Sequence, residues 1–401
     1  QLNLRVKELE EQAVPYGDFE VWEGLVLREE TIRRWYFEEY SHYPLAQRKD
    51  RVLARVKRWY ETEYRKAQPD DPKKTFKKVA SQRLRAYEKK WPQLSAVSIY
   101  QETLADLGLG LRAKSEKGMR KGQRPEIEVE DVAPILYVHQ KLHGIDPRDR
   151  FDHVVIDEAQ DFSPLQIEVL KAYCPSLSFT ILGDLSQSIH TYQGITNWDA
   201  FLSLFPAEKA DFYQLDVSYR STMEIIDFAN AVIRNFAGFS QAKPVFRSGE
   251  PVVVSQVEAA RWTEHAVAAV RSLKAEVHTV AVVCRTEEDS RICHQALEKA
   301  GLMAQLIDAS QKEYHGGISV LPVYLTKGLE FDAVLMVGVD AENYAKTPLS
   351  AKLLYVGCTR ALHKLWLQYA GAISPLIAAE AAAKSSSEFV LDAQVAEAID
   401  A

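Results

Sequence analysis

None of the 18 glycines in this 401-residue chain is followed by lysine. The Gly-x-x-x-x-Gly-Lys-Ser/Thr loop, whose backbone N–H groups and lysine cradle nucleotide phosphates, is therefore missing from it. Cysteine is scarce. Cys174, Cys284, Cys293 and Cys358 have no C-x-x-C spacing, which argues against a disulfide framework and for free buried thiols in a reducing cytoplasm. Long apolar runs are absent as well: Ala333 to Val337 is strand-length, far short of a bilayer span, so no membrane partner is expected. The opening QLNLRVKELEEQ is charged and helical in pattern, without a signal-peptide core. These features leave a cytoplasmic location as the expectation.

The composition is that of a globular chain, 47% hydrophobic and 26% charged, long enough for two or three domains. Its net charge of −7 hides an asymmetry. Arg48 to Arg124 holds 22 Lys and Arg against 9 Asp and Glu. A basic segment on an acidic body suits a polyanion, since each cation placed on a phosphate releases counterions. Solvated helix faces or an acidic protein partner would read the same way.

Residues 1 to about 125 have a mostly helical pattern. A short strand is expected at Gly17–Trp22, then helices over Glu29–Tyr40, Arg51–Lys66 and Lys74–Lys90, and a basic mobile loop at Lys114–Pro125. Near Glu130 the pattern becomes alternating. The expected elements are a helix at Val132–Leu142, a buried strand at His153–Ile156, a helix at Pro164–Tyr173 and strands at Ser178–Leu182 and Phe212–Leu215. A helix at Thr222–Asn235 follows. After a hinge at Lys243–Pro251, a second block offers strands near Val252–Ser255, Thr279–Cys284, Ile318–Leu321, Ala333–Gly338 and Lys364–Tyr369. Apolar strands alternating with helices indicate parallel α/β sheets.

The chemistry-bearing residues fall at the ends of these strands. Asp157-Glu158 closes the first apolar strand, at the edge where open α/β folds bind ligands. Asp157 is suited to hold Mg²⁺ through water, and Glu158 to orient or deprotonate a water attacking a phosphate. The second strand leads to GDLSQSIH, where Gln187 can sense a phosphate oxygen and His190 and Tyr192 offer rings for base stacking. Arg220 precedes a helix start at Ser221 or Thr222. In the second block Lys327-Gly328 and Glu330 combine a cation, a tight turn and a carboxylate able to accept from a ribose hydroxyl. Lys352 to Lys364 is expected to be a helix with Arg360 near its end. An arginine delivered from a second lobe onto a bound nucleotide is an arginine finger. Taken singly, each of these elements also suits a plain turn, loop or helix.

In order, DEAQD, GDLSQSIHTYQG, LDVSYRST, LTKGLEFDAV and LLYVGCTRAL resemble motifs II to VI of the UvrD/Rep/PcrA-type superfamily 1A helicases. That resemblance covers about residues 130 to 370. It implies ATP and Mg²⁺ as cofactors and DNA or another nucleic acid as partner. By motif, Asp157 would be the magnesium-associated residue, Glu158 the catalytic base and Gln187 the coupling glutamine. Arg220 would lie near the γ-phosphate, Gly328 and Glu330 would contact the nucleotide, and Arg360 would be the finger. The helicases usually carry an aromatic at the position of His190, arginine at that of Gln193 and histidine at that of Tyr324. These are their strand-contacting positions, which leaves His190, Tyr192 and Tyr324 as the nucleic-acid candidates. YLTKGLEFDAV, the lead-in YHGGISVLPV and the basic helical segment are more similar to the HelD group, helicase-like ATPases that bind bacterial RNA polymerase and release it from nucleic acid.

The expected architecture is thus α/β, with two RecA-like parallel-sheet domains of the P-loop NTPase class, the first incomplete. A basic helical insertion with part of the first domain would span 1–128, the rest of that domain 129–245, the second domain 246–375 and a tail 376–401. The expected function is a HelD-like, polymerase-associated motor ATPase. A 3′–5′ DNA helicase or translocase in repair and a non-catalytic scaffold are the alternatives. Without the phosphate loop, expected on a missing N-terminal half, this chain alone should hydrolyse little ATP.

Overall fold

The computed structural model describes residues 1–67, 73–109, 127–188, 194–237, 239–308 and 316–385. The loop expected at Lys114–Pro125 and most of the expected tail lie outside them, as do His190 and Tyr192. The chain divides into two compact units: residues 1–156 with 164–180, and residues 157–163 with 181–401. Segment 181–245 thus shares a unit with 246–375.

The first unit is mainly helical. It comprises α1 (Leu2–Glu11), the hairpin β1 (Phe19–Trp22) and β2 (Leu25–Leu27), α2 (Glu29–Arg34), α3 (Leu45–Ala67), α4 (Lys73–Glu88), α5 (Ala96–Asp106), α6 (Val129–His143), β3 (Val154–Ile156), α7 (Pro164–Lys171) and β4 (Phe179–Ile181). The helix expected over Glu29–Tyr40 widens after Arg34 into a π turn, Trp35–Glu39, which buries Trp35 and Tyr36. Val52, Val56 and Tyr60 recur every four residues along α3 and enter one core with Phe76 and Ala80 of α4 and Val138 and Leu142 of α6.

β3 and β4 form a two-stranded sheet. The strand expected to be buried on both faces is not: Val155 is 63% exposed, because β4 is the only strand paired with β3 among the described residues.

The second unit contains α8 (Asp199–Leu202), β5 (Val217–Ser218), α9 (Met223–Ile233), β6 (Lys243–Pro244), β7 (Val253–Val257), α10 (Trp262–Glu276), β8 (Val280–Cys284), α11 (Glu287–Lys299), β9 (Ala304–Leu306), β10 (Ile318–Pro322), β11 (Phe331–Met336), α12 (Pro348–Cys358), β12 (Ala361–Ala370) and α13 (Ala378–Ser385). Six strands form one sheet in the order β7-β12-β11-β8-β10-β9, parallel at every pairing. Successive residues of the central strands feed opposite cores. Val280, Val282, Ala333 and Leu335 join α10 and α11 on one face. Ala281, Val283, Val334 and Met336 join α9 and α12 on the other. Continuous apolar runs are what a sheet covered on both faces requires.

Two expectations fail here. Phe212–Leu215 joins no ladder; the strand is Val217–Ser218, paired with β6 inside the expected hinge. Phe212, Tyr213 and Leu215 are exposed, with no neighbouring strand to bury them. The helix expected over Lys352–Lys364 stops at Cys358, and Ala361 already pairs with β11. Arg360 therefore stands in the turn between α12 and β12, because ALHKLWLQYA satisfies its backbone in the sheet. The four cysteines are free and buried, as expected. No helix among the described residues is long and apolar enough to cross a membrane.

Candidate nucleotide site

The second unit brings most of the candidate residues together. Asp157–Ser163 belongs to it, and Ala159–Asp161 forms a tight 3-10 turn. Glu158 enters that turn with a left-handed backbone, φ 53°. This conformation costs a non-glycine residue about 1–3 kcal/mol and persists only where the surroundings enforce it. The enforcing residue is Gln160, fully buried. Its Nε2 donates to Glu158 Oε2 at 2.6 Å, and its Oε1 accepts from the backbone N–H of Asp184 at 2.9 Å. The turns carrying Glu158 and Gln187 are thereby pinned to one amide.

Glycine makes this close packing feasible. A Cβ at Gly194 would stand 2.0 Å from the Gln160 carbonyl oxygen, and one at Gly183 would stand 2.4 Å from Gln160 Oε1. Gly194→Ala is expected to lower stability by about 1–3 kcal/mol, the usual cost of overpacking. Urea unfolding checks it, and an unchanged midpoint would show that the backbone relaxes freely there.

Arg360 lies at the centre and is 1% exposed. Its guanidinium donates to Gln187 Oε1 at 2.6 Å through Nη2 and to the Val356 carbonyl at 3.1 Å through Nε. Burial, reinforced by the like charge of Arg220, lowers its pKa to about 10, while Glu158 and Glu330 oppose the shift. It remains charged at neutral pH. Gln187 is itself fixed, donating to Asp184 Oδ2 at 2.8 Å. Arg220 pairs with Glu330 at 2.8 Å. The buried Ser221 hydroxyl donates to the Ala361 carbonyl at 2.6 Å, which ties the Arg220 turn to the start of β12. Gly328 has φ 79° and makes the turn between Lys327 and Glu330 possible without strain.

Lys327 bridges to Glu158 Oε2 at 3.2 Å and also pairs with Asp161. Lys352 of α12 faces Asp161 and Asp184: burial lowers its pKa, and those two carboxylates oppose the shift. Asp157 is exposed, with Oδ1 accepting from the Glu158 N–H at 2.8 Å. Asp161 Oδ1 is buried and has no hydrogen-bond partner, so the cluster has an acceptor in need of a donor. Among the described residues no three Asp, Glu, His or Cys side chains form a metal cage. Mg²⁺ does not need one, since it commonly uses one or two carboxylates together with substrate phosphates. The mixture of cations and acids fits a magnesium–triphosphate.

Tyr324 is not in this cluster. Its hydroxyl donates to Glu287, and that carboxylate, with burial second, raises the phenol pKa to about 12.

Residues 45–205 match the family described as UvrD/REP helicase N-terminal domain, and residues 317–368 match UvrD-like helicase C-terminal domain. The fold is that of a superfamily 1 helicase. This UvrD-like chain is 25% identical over 241 residues to a putative ATP-dependent DNA helicase R568 of Acanthamoeba polyphaga mimivirus, covering 54% of the chain and 34% of that protein. It is 28% identical over 165 residues to DNA helicase II of Escherichia coli K12, covering 39% of the chain and 22% of that protein. The chain thus spans about a third or less of the curated relatives it matches. It also resembles the solved C-terminal domain of a possible DNA helicase from Lactobacillus plantarum WCFS1, at 32% identity over 40% of this chain and 92% of that one, with a TM-score of 0.34.

Gln160, Asp161, Asp184 and Lys352 were not among the site residues expected of this UvrD-like chain. Gln160 and Asp161 stood in plain view inside DEAQD. Nothing in the spacing marks an amide as fully buried, or pairs Asp161 with a lysine 166 positions away.

Proposed function

We propose that this chain provides the catalytic-carboxylate edge and the second lobe of an ATP-driven, UvrD-type motor acting on DNA. The observation that carries the proposal is the convergence of Glu158, Gln187, Arg220, Glu330 and Arg360 in one compact unit, with Gln187 held directly by Arg360. Bound ATP would supply the phosphoanhydride and Mg²⁺, beside Asp157, would neutralise charge on the phosphates. Glu158 orients water and takes its proton at a carboxylate oxygen. Arg360 places a fixed positive charge against the terminal phosphate, where developing charge is stabilised. Glu330 offers an acceptor for a nucleotide hydroxyl, and Gln187 links the Arg360 guanidinium to the turn beginning at Asp184.

A second reading, a HelD-like motor that releases bacterial RNA polymerase from nucleic acid, is favoured by Tyr324. Its hydroxyl is committed to Glu287, with Glu288 and Asp289 next in sequence. An acidic edge at this position disfavours contact with a phosphate backbone.

The two are separated by measuring ATP turnover of the chain joined to a phosphate-loop segment, with single-stranded DNA or with core RNA polymerase. The DNA-motor reading expects several-fold stimulation by DNA and strand displacement. Stimulation and co-purification with polymerase alone would replace it by the second reading. Turnover unaffected by either partner overturns both.

A further inference from the structure

A second polar hollow lies at the opposite end of the same sheet. Glu330 and Arg360 immediately precede β11 and β12, whereas Arg285 follows β8, Gly338 lies just beyond β11, and Gln368 stands near the close of β12. Around these carboxyl ends is a cavity of about 230 Å³, walled by Trp262, Arg285, Asp289, Asp340, Asn343 and Gln368. All six lie in the second compact unit.

The topology explains why a crevice forms there. β8 and β11 are neighbours in mid-sheet. The chain leaving β8 passes through α11 to β9 at one margin, and the chain leaving β11 passes through α12 to β12 on the other side. α11 and α12 cover opposite faces. Adjacent parallel strands with diverging exits leave a gap over their carboxyl ends, the place where open α/β sheets receive ligands.

The polar groups lining the gap indicate what it takes. Gln368 is 7% exposed. Its Nε2 donates to the His265 carbonyl at 3.3 Å, while its Oε1 has no partner. A buried amide oxygen of this kind calls for a donor from the occupant. Arg285 donates through Nε to the Asn343 carbonyl at 3.1 Å, which orients the guanidinium, and among the described residues it has no carboxylate partner. Trp262 adds a flat apolar wall. Glu287, Glu288 and Asp289 crowd the first turn of α11, so a phosphate is disfavoured there.

We infer that this crevice binds a purine base, with guanine the best match. The Arg285 fork meets the N7 and O6 acceptors that arginine reads bidentately. Gln368 Oε1 accepts from the ring N–H or exocyclic amine, and the ring stacks on Trp262. The base has two sources, a free nucleoside or nucleotide and an exposed base of a single strand. The assignment does not rest on ATP turnover by this chain.

The test is titration of the 401-residue chain with guanosine, adenosine, GMP, and a dT heptamer carrying or lacking one central dG. Calorimetry reads the binding, and circular dichroism confirms that each variant is folded. The expected result is guanosine binding at least tenfold tighter than adenosine and weakened at least tenfold by Gln368→Leu and by Trp262→Ala. Tighter binding of the dG heptamer than of guanosine assigns the source to a strand; equal or weaker binding assigns it to the free nucleoside. No binding by folded protein, or binding kept in Gln368→Leu and lost in Arg220→Ala, overturns the inference.

Discussion

The purified 401-residue chain, given ATP and Mg²⁺, is expected to release phosphate at a rate close to that of buffer. Joining a segment that carries Gly-x-x-x-x-Gly-Lys-Ser/Thr should raise turnover by several orders of magnitude. The reason lies in what the site contains. Its cations are Arg220, Arg360, Lys327 and Lys352, and the first three already hold a partner: Arg220 pairs with Glu330, Arg360 donates to Gln187, and Lys327 bridges Glu158 and Asp161. No glycine-lysine pair exists in the sequence to add backbone N–H donors around the β- and γ-phosphates. Losing a single preorganised donor at a developing negative charge costs about a hundred- to a thousandfold, and the loop supplies several. Phosphate release with purified chain and purified fusion is the measurement. Brisk turnover by the chain alone would refute the assignment of these residues to half of a site.

Arg360→Ala is expected to act twice. In the fusion, turnover should fall about a thousandfold or more, the range seen when an arginine finger is removed, with little change in nucleotide affinity. In the 401-residue chain, thermal unfolding should shift down, because Gln187 Oε1, the Val356 carbonyl and a large buried volume all lose their partner together. Arg360→Lys keeps the charge but not the fork, so it should recover part of the stability and little of the rate. Equal loss of rate and stability in the two variants would make Arg360 a packing residue and nothing more.

Much of the second unit was legible in the sequence because two physical signals overlap there. Short apolar runs such as VAVVC and AVLMV, rich in valine, suit strands buried on both faces, and every one of the six sheet strands overlaps an expected run or its close vicinity except β9. The motif residues at the strand ends were legible because their types, carboxylate, amide and arginine, are the ones phosphate chemistry needs. Arg360 was misplaced because KLLYVGCTRALHK has helical spacing throughout, and only the ladder with β11 decides that the helix stops early. Phe212–Leu215 was misread for a complementary reason: an apolar run predicts a strand only when another strand lies beside it. The role of Gln160 was not legible because it comes from two turns meeting on one side chain, a property of the fold.

Six hydrogen-bonded parallel strands also form a stiff plate. β11 has six residues, a rod about 20 Å long at strand rise, fixed along both flanks by β8 and β12. Such a rod resists local stretching, so the polar hollow beyond Gly338 is held at a set distance from the Glu330 end.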